Sequence, residues 1–174
     1  LVVHYQPVVD LDSGLTEGFE ALVRWQHPER GLLPPAAFIA FAEQVGLIDE
    51  IGQHVLATAC EEAASWGPGR AGCPAPSINV NLAPRQLLDA DLAQRLAALL
   101  RRTGLEPSRL VLELTEGALM SDPLAAITSL RSLEALGVRL AVDDFGTGYS
   151  SLAYLRQFPI HILKIDRSFV SDLQ

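Results

Sequence analysis

Residues 110–143, LVLELTEGALMSDPLAAITSLRSLEALGVRLAVD, contain the pattern that decides the fold. Leu110–Thr115 and Val138–Asp143 are short apolar runs of strand length, and Pro123–Leu136 between them has the apolar spacing of a helix. An Asp-Pro pair precedes that helix and a glycine follows it, which are common helix start and stop signals. Because a crossover helix returns the chain to a parallel strand, this stretch predicts a parallel sheet covered by helices.

The same alternation extends in both directions along the 174-residue chain. At the amino end, two strand patterns flank a turn at Asp10–Gly14 and predict an antiparallel hairpin. The Gly- and Pro-rich segment Gly67–Pro76 predicts a loop. The other predicted strands are Val2–Val9, Gly18–Trp25, Ser77–Leu82 and His161–Asp166, and the other predicted helices are Pro35–Gln44, Ile48–Trp66, Ala90–Arg102 and Ser151–Gln157.

These predicted strands are compatible with three sheet architectures. A TIM-like (β/α)8 barrel typically needs about 250 residues, so this chain would hold about three quarters of one. An open doubly wound sheet fits the length with nothing missing. An antiparallel sheet with one solvated face is the third architecture, although the intervening helices count against it.

The composition excludes several classes of protein. With 49% hydrophobic and 20% charged residues, the chain is neither disordered nor collagen-like, and its length suits one domain. The net charge of −8, without a cluster of basic residues, argues against DNA or RNA binding. Cys60 and Cys73 lack a metal or redox spacing, which predicts free thiols in a reducing compartment. Because the first residue is Leu1 and no targeting signal is visible, we expect a domain cut from a longer protein.

Polar residues recur on one face of the predicted strands, since side chains alternate between the two faces. This polar face contains Glu20, Asn81, Glu113, Asp143 and Lys164, mostly toward the carboxyl ends of their strands. In a barrel these residues would line the mouth at which barrel enzymes carry their chemistry. Facing carboxylates repel one another unless they are protonated or bind cations, and an oxygen-rich set suits Mg²⁺, Mn²⁺ or Ca²⁺ better than Zn²⁺.

Two adjacent carboxylates, Asp143 and Asp144, end a predicted strand and precede the sequence FGTGYSS at 145–151. Neighbouring residues of a strand point to opposite faces, unless the strand ends and the chain turns there. A turning chain could present both carboxylates to a two-metal site that clamps attacking and leaving oxygens. The alternative is an acidic turn before a helix capped by Ser150 or Ser151.

Other polar residues of these segments have two interpretations each. Glu113 lies in an apolar strand and therefore needs a partner or a metal. Glu116 is either a functional acid or a favourable charge in the first turn of a helix. Asn81 either belongs to the polar face or starts a turn at the strand end. Lys164, the single lysine among 13 basic residues, is interpreted as a general base or a cation that orients water.

Six motifs in sequence order resemble the EAL domain family of bacterial cyclic di-GMP phosphodiesterases. The resemblance runs from about His4 to the end of the chain, and six motifs in order are far more specific than one. It implies a TIM-like barrel with an irregular antiparallel first strand, in agreement with the predicted hairpin. The motifs are YQPVVD at Tyr5–Asp10, EALVRW at Glu20–Trp25, NVNLAPRQL at Asn79–Leu87, LELTE at Leu112–Glu116, DDFGTGYSSLAYL at Asp143–Leu155 and LKIDRSFV at Leu163–Val170.

The resemblance further implies hydrolysis of one phosphodiester bond of cyclic di-GMP to linear pGpG, with two Mg²⁺ or Mn²⁺ ions and inhibition by Ca²⁺. Lys164 would hold or deprotonate the attacking water, and Glu20, Asp143 and Asp144 would act with it. By the same resemblance, the metal ligands would be Glu20, Asn81, Glu113, Asp143 and Asp144. The substrate contacts would be Gln6, Leu22 and Arg24. Glu116 would anchor the loop at 145–151, and Asp166 would support Lys164 or the second metal.

The family pattern continues past residue 174 with a further glutamate ligand in an AEGVE-like segment. We therefore expect residues 1–174 to be a C-terminally incomplete EAL domain with weak or absent activity by itself. The resemblance also implies a cytoplasmic domain. Its parent protein would form a homodimer, carry an upstream sensor or GGDEF domain, and be tethered to the inner membrane.

Three functions remain open from the sequence. The first is a metal-dependent cyclic di-GMP phosphodiesterase, and the second is a non-catalytic receptor or interaction domain that binds the same ligand. The third is a different metal-dependent barrel enzyme, such as an aldolase or isomerase. Because the acidic residues are intact, the sequence favours the first, and release of pGpG would separate it from the second.

Overall fold

A computed structural model describes residues 1–67, 74–146 and 155–171, and within these ranges strands alternate with helices. The strands are β1 (Val2–Val9), β2 (Thr16–His27), β3 (Gly31–Leu33), β4 (Ser77–Asn81), β5 (Leu110–Thr115), β6 (Arg139–Phe145) and β7 (Ile162–Ile165). The helices are α1 (Ile39–Gln44), α2 (Ile48–Ser65), α3 (Pro84–Leu87), α4 (Leu92–Thr103), α5 (Glu116–Ser121) and α6 (Pro123–Glu134).

The strands form a mixed sheet in the order β1-β2-β4-β5-β6-β7, and β3 pairs with β2 as a short extra strand. β1 is antiparallel to β2, which confirms the predicted hairpin. The pairs β2–β4, β4–β5, β5–β6 and β6–β7 are all parallel, so the antiparallel alternative is wrong. Parallel strands that follow one another in chain order are the arrangement of a barrel wall, whereas a doubly wound sheet reverses its strand order.

The side of the sheet that faces the helices forms the core. On the three central parallel strands, β4, β5 and β6, alternate residues as far as Val142 are apolar and at most 2% exposed. These residues are Ile78, Val80, Leu110, Leu112, Leu114, Leu140 and Val142. The covering helices contribute Ala59 and Cys60 from α2, Leu96 from α4 and Leu130 from α6 to the same cluster. None of the described helices has both the length and the apolarity needed to cross a bilayer.

The structure differs from the sequence prediction mainly between residues 31 and 47. Strand β3 was not predicted, and the single helix predicted at Pro35–Gln44 is a 3-10 turn at Pro35–Ala37 followed by α1. The break lies at Phe38, whose φ of −144° is not helical and whose buried ring packs edge-on against Trp25. Tertiary packing of this ring therefore overrides the helical pattern.

Several smaller elements were also missed or lie outside the described residues. Helices α3 and α5 follow directly after β4 and β5 and are only one turn or slightly longer, too short for a clear apolar period. Residues 151–154 of the helix predicted at Ser151–Gln157 lie outside the described ranges, as do residues 68–73 of the predicted loop.

Candidate active site at the carboxyl ends of the strands

The register of the parallel strands places the polar face on one side of the sheet. Asn81 of β4 pairs in register with Glu113 of β5, and Thr115 pairs with Asp143 of β6. Residues that pair in register point to the same side of a sheet, so these side chains share the side opposite the helices. β2 brings Glu20 to the same side of the sheet, in register with Asn79 and therefore two residues before the level of Asn81 and Glu113.

Lys164 of β7 lies at the centre of these acids. Its Nζ donates to Glu113 Oε2 at 2.7 Å and to Glu20 Oε2 at 3.1 Å, and it lies 3.5 Å from Asp143 Oδ1. The Glu113 side chain is fully buried, whereas those of Glu20, Asp143 and Lys164 remain partly exposed. Carboxylates from three strands therefore surround one cationic atom, next to solvent.

Two asparagine amides hold the glutamates in a crossed arrangement. Asn81 is the register partner of Glu113, yet its Nδ2 donates to Glu20 Oε1 at 2.9 Å. Asn79 is the register partner of Glu20, yet its Nδ2 donates to Glu113 Oε1 at 2.8 Å. Each glutamate thus has one oxygen on an amide and the other on Lys164.

A β-bulge brings the two adjacent aspartates toward one strand position. Val142 pairs with Leu163 and Phe145 pairs with Ile165, so two residues of β6, Asp143 and Asp144, lie opposite the single Lys164. Asp144 has φ of 52°, the one positive value at a non-glycine position among the described residues. Such backbone strain collects at functional sites, and aspartate tolerates this region better than most residues. The strand therefore does not end at Asp143, as the sequence predicts, but continues through the bulge to Phe145.

The electrostatics of the site follow from burial and close charges. Burial is the strongest influence on Lys164 and lowers its pKa. The hydrogen bond to Glu113 and the charges of Glu113, Glu20 and Asp143 outweigh this, so that the net pKa of Lys164 is raised. Burial, together with the charge of Glu20, raises the pKa of Glu113, although the hydrogen bonds from Lys164 and Asn79 and the charge of Lys164 lower it. Desolvation, the charges of Asp143 and Asp166, and a hydrogen bond with Asp166 raise the pKa of Asp144.

Glu116 contacts the start of the glycine-containing segment. It begins α5, is buried, and its Oε2 accepts a hydrogen bond from the Gly146 backbone at 3.2 Å. Within the described residues, Glu116 Oε1 has no hydrogen-bond partner. The ring of Phe169 covers the other side of Gly146, where an added Cβ would come within 2.9 Å of it. Residues 147–151 of the predicted loop lie outside the described ranges, so the anchoring role of Glu116 stays a prediction.

An apolar pocket of about 270 Å³ adjoins the polar face. Leu22 and Asn81 line it from the sheet, together with Thr115 at the end of β5. Pro35 and Ile39 line it from the segment whose structure was not predicted. The pocket therefore places apolar surface beside the carboxylates, and Leu22 is the predicted substrate contact that belongs to it.

The other predicted residues lie at the margin of the site. Gln6 is exposed on β1 and is the register partner of Glu20. Arg24 lies on the same face of β2 as Leu22, and its Nη1 donates to the Val23 carbonyl at 2.9 Å. Asp166 directly follows β7 and caps the next turn by accepting from the Ser168 backbone.

The donor chemistry of the site fits a divalent cation. Carboxylate oxygens from three strands converge, and carboxylate and amide oxygens are the ligands that Mg²⁺ and Mn²⁺ prefer. In the described part of the chain, no three acidic, histidine or cysteine side chains are arranged as a ready metal site. The ammonium of Lys164 occupies the space between the acids in this arrangement and supplies the positive charge.

Sequence reasoning selected Asn81 but not Asn79, although both lie on the polar face. The signal that could have found Asn79 is the alternation itself, since every second residue of Ser77–Asn81 is polar. The pocket residues Pro35 and Ile39 carry no such signal, because their position depends on the turn around Phe38.

The geometry can be compared with known proteins. The EAL domain family profile matches residues 1–174. The chain belongs to the EAL domain family. Its fold is accordingly the TIM-like barrel fold of that family, which confirms the barrel prediction and shows that the doubly wound alternative is wrong.

Curated relatives of this EAL domain include proteins named for cyclic di-GMP turnover. The chain is 46% identical over 173 residues to the bifunctional diguanylate cyclase/cyclic di-GMP phosphodiesterase MucR of Pseudomonas aeruginosa, covering 99% of the chain and 25% of MucR. It is 45% identical over 173 residues to the cyclic di-GMP phosphodiesterase NbdA of the same organism, covering 99% of the chain and 22% of NbdA. The chain thus spans about a quarter of the length of these relatives.

Solved EAL domains superpose on the whole described fold. The MucR phosphodiesterase of P. aeruginosa in complex with cyclic di-GMP matches with a TM-score of 0.92 and 45% identity, over 99% of this chain and 69% of that one. The FimX EAL domain of P. aeruginosa bound to cyclic di-GMP matches with a TM-score of 0.86 and 27% identity, over 98% and 67%.

Proposed function

We propose that this EAL domain is the catalytic part of a metal-dependent phosphodiesterase that hydrolyses cyclic di-GMP to linear pGpG. The observation that carries the proposal is the convergence of Glu20, Glu113 and Asp143 on one point at the carboxyl ends of the strands. The names of the relatives support the same reaction class. In the reaction, a water oxygen bonds to phosphorus, the bond from phosphorus to one ribose oxygen breaks, and that oxygen takes up a proton.

In this proposal Glu20, Asn81, Glu113 and Asp143 bind one divalent cation and Asp144 bridges toward a second. Such ions neutralise charge on the phosphoryl oxygens and acidify a water when they are bound. Without them, an acidic chain with a net charge of −8 would repel the two phosphates of the substrate. The bulge at Asp143 and Asp144 supports this assignment, because it directs two neighbouring carboxylates toward the same strand position.

Lys164 has the role of orienting the attacking water. While the carboxylates of Glu20, Glu113 and Asp143 face it, its raised pKa keeps it protonated, so it acts as a hydrogen-bond donor. The ammonium of Lys164 also offsets the repulsion between the carboxylates of Glu20 and Glu113, because it donates a hydrogen bond to each of them.

The margin of the site is assigned to substrate binding. The apolar pocket beside Leu22 suits one face of a nucleobase, since base recognition combines apolar contact with a few polar groups. Arg24 lies on the same face and is assigned to a phosphate, which a guanidinium can bind with two parallel hydrogen bonds. Gln6 is assigned to a polar contact with the second base.

A receptor that binds cyclic di-GMP without cleaving it is the second candidate, because the MucR phosphodiesterase and the FimX EAL domain were both solved with cyclic di-GMP and a bound ligand does not by itself indicate cleavage. The test is incubation of the full-length protein with cyclic di-GMP and Mg²⁺ or Mn²⁺, followed by chromatography. We expect pGpG from the wild type and no pGpG when EDTA removes the metal. Recovery of intact cyclic di-GMP with either metal would contradict cleavage, and retention of that ligand by the protein in equilibrium dialysis would instead support the receptor. The chain 1–174 assayed beside it tests the expected weak activity.

A further inference from the structure

Asn79 precedes Asn81 by two residues on β4 and donates a hydrogen bond to Glu113. It lies at the middle of β4, which is paired in parallel with β2 on one side and β5 on the other. Its side chain is buried, with the residue 6% exposed, whereas Asn81 two positions later is exposed. The same residue type therefore occurs twice on one strand face, once inside the protein and once at the solvent boundary.

The contact between Asn79 and Glu113 fixes a carboxylate that solvent does not reach. The Glu113 side chain has no exposed surface, its Oε1 accepts from Asn79 Nδ2 at 2.8 Å, and its Oε2 accepts from Lys164 Nζ at 2.7 Å. A buried carboxylate oxygen without a donor is costly, so the two bonds together set the plane of the group.

A cation that binds Glu113 must compete with Lys164 for Oε2, but it need not disturb Oε1. Among the hydrogen bonds of the described residues, the one from Asn79 is then the contact that continues to orient the carboxylate. Groups that orient a metal ligand in this way typically change metal affinity about 10–100-fold when they are removed.

We infer that Asn79 is a positioning residue that holds Glu113 in the orientation required to bind a divalent cation. This inference rests on the proposed function, since it assigns Glu113 to the metal. Asn79 acts through Glu113 and does not itself touch the substrate.

The test compares Asn79→Leu, which keeps the branched shape but is larger and lacks a donor, with the wild-type full-length protein. Asn79→Ala is a second, smaller variant for the case that the leucine does not fold. Ser77→Ala is the matched control, because Ser77 lies on the same strand face and loses one hydrogen bond to the Glu17 carbonyl. Mn²⁺ affinity is measured from the EPR signal of free Mn²⁺, and thermal unfolding is measured without metal.

We expect Mn²⁺ binding about 10–100-fold weaker in the Asn79 variants and unchanged in Ser77→Ala. A lower melting temperature with Mn²⁺ affinity within twofold of the wild type would overturn the inference, because Asn79 would then be only structural. A wild type that binds no Mn²⁺ and forms no pGpG would instead count against the proposed function. Failure of the inference about Asn79 and failure of the proposed function therefore give different results.

Discussion

Leu112 and Glu113 are neighbours on β5 and are both buried, yet they belong to two regions with opposite chemistry. Leu112 packs under the helices with Leu140 and other apolar side chains. Glu113 faces the other side of the sheet, where its carboxylate contacts Lys164 and Asn79. A single strand thus contributes to the core with one residue and to the candidate active site with the next.

The two regions differ in what they contribute to stability. The helix-facing side gains free energy from apolar burial. The polar face places three carboxylates around one ammonium, which leaves an excess of negative charge and a strained backbone at Asp144. Functional sites commonly retain such unfavourable features. Substitutions on the helix-facing side should therefore change stability, and substitutions on the polar face should change activity.

The substitution with the largest expected effect replaces Lys164 on the polar face. Lys164→Met should lower kcat for cyclic di-GMP hydrolysis about 10²–10⁴-fold, the range for loss of a group that assists proton transfer. The control is Arg131→Met, which removes an exposed cation from α6 and should leave kcat unchanged. Steady-state assays and circular dichroism on the folded variants provide the measurement. A kcat within tenfold of the wild type would show that the central cation is dispensable.

The next effect is on the helix-facing side. Leu140→Ala should reduce the free energy of unfolding by about 2–5 kcal/mol, because Leu140 is fully buried and the substitution leaves a cavity. Leu124→Ala is the matched control, since Leu124 is 78% exposed on α6 and should change stability by less than about 0.5 kcal/mol. Denaturant unfolding compares the two. Equal losses of unfolding free energy in the two variants would contradict the assignment of Leu140 to the core.

A smaller effect concerns a helix that covers the core. The Asp122 side chain accepts from the Ala125 backbone at 3.1 Å and caps α6, so Asp122→Ala should cost about 1 kcal/mol. Asp91 occupies the same position before α4 without a side-chain capping bond, so Asp91→Ala should cost less. The thermal unfolding of both variants gives the comparison. A larger loss for Asp91→Ala would contradict the capping geometry.

The smallest effect is a pH dependence of the core. Burial, followed by the charge of Glu61, raises the pKa of the Cys60 thiol to about 12. A raised folded pKa contributes stability that is complete below the unfolded pKa of about 8.5 and is lost as the pH rises toward about 12. From pH 7 to pH 9 this loss should be less than about 1 kcal/mol, and Cys60→Ala should remove it. Unfolding curves at both pH values test this, and an identical pH dependence of the two proteins would contradict it.

Much of the fold follows from local patterns. Leu110–Thr115 was predicted with the observed bounds of β5, because a run of apolar residues with one polar interruption leaves little choice of face. The same alternation placed Glu20, Asn81, Glu113, Asp143 and Lys164 on one side. The hydrogen-bond partners within the site could not be predicted from the sequence. The bonds from Asn79 to Glu113 and from Asn81 to Glu20 depend on the strand register and on how far each side chain reaches.

Other features depend on contacts distant in sequence. The bulge at Asp143 and Asp144 is defined by the register of β7, whose residues lie far from them in the sequence. The turn at Phe38 depends on its contact with Trp25. The roles of the site residues stay predictions, since they concern a bound metal and substrate.

The central claim is that the acids of the polar face bind divalent cations. Crystals of the full-length protein soaked in MnCl₂ and measured at the manganese absorption edge test it most directly. We predict an anomalous peak from a manganese ion that is bound by oxygens of Glu20, Asn81, Glu113 and Asp143. In the same crystals the contact between Lys164 and Glu113 should be released or lengthened. The absence of a peak there, with Lys164 still joining Glu20 and Glu113 while Mn²⁺ supports pGpG formation in solution, would contradict it.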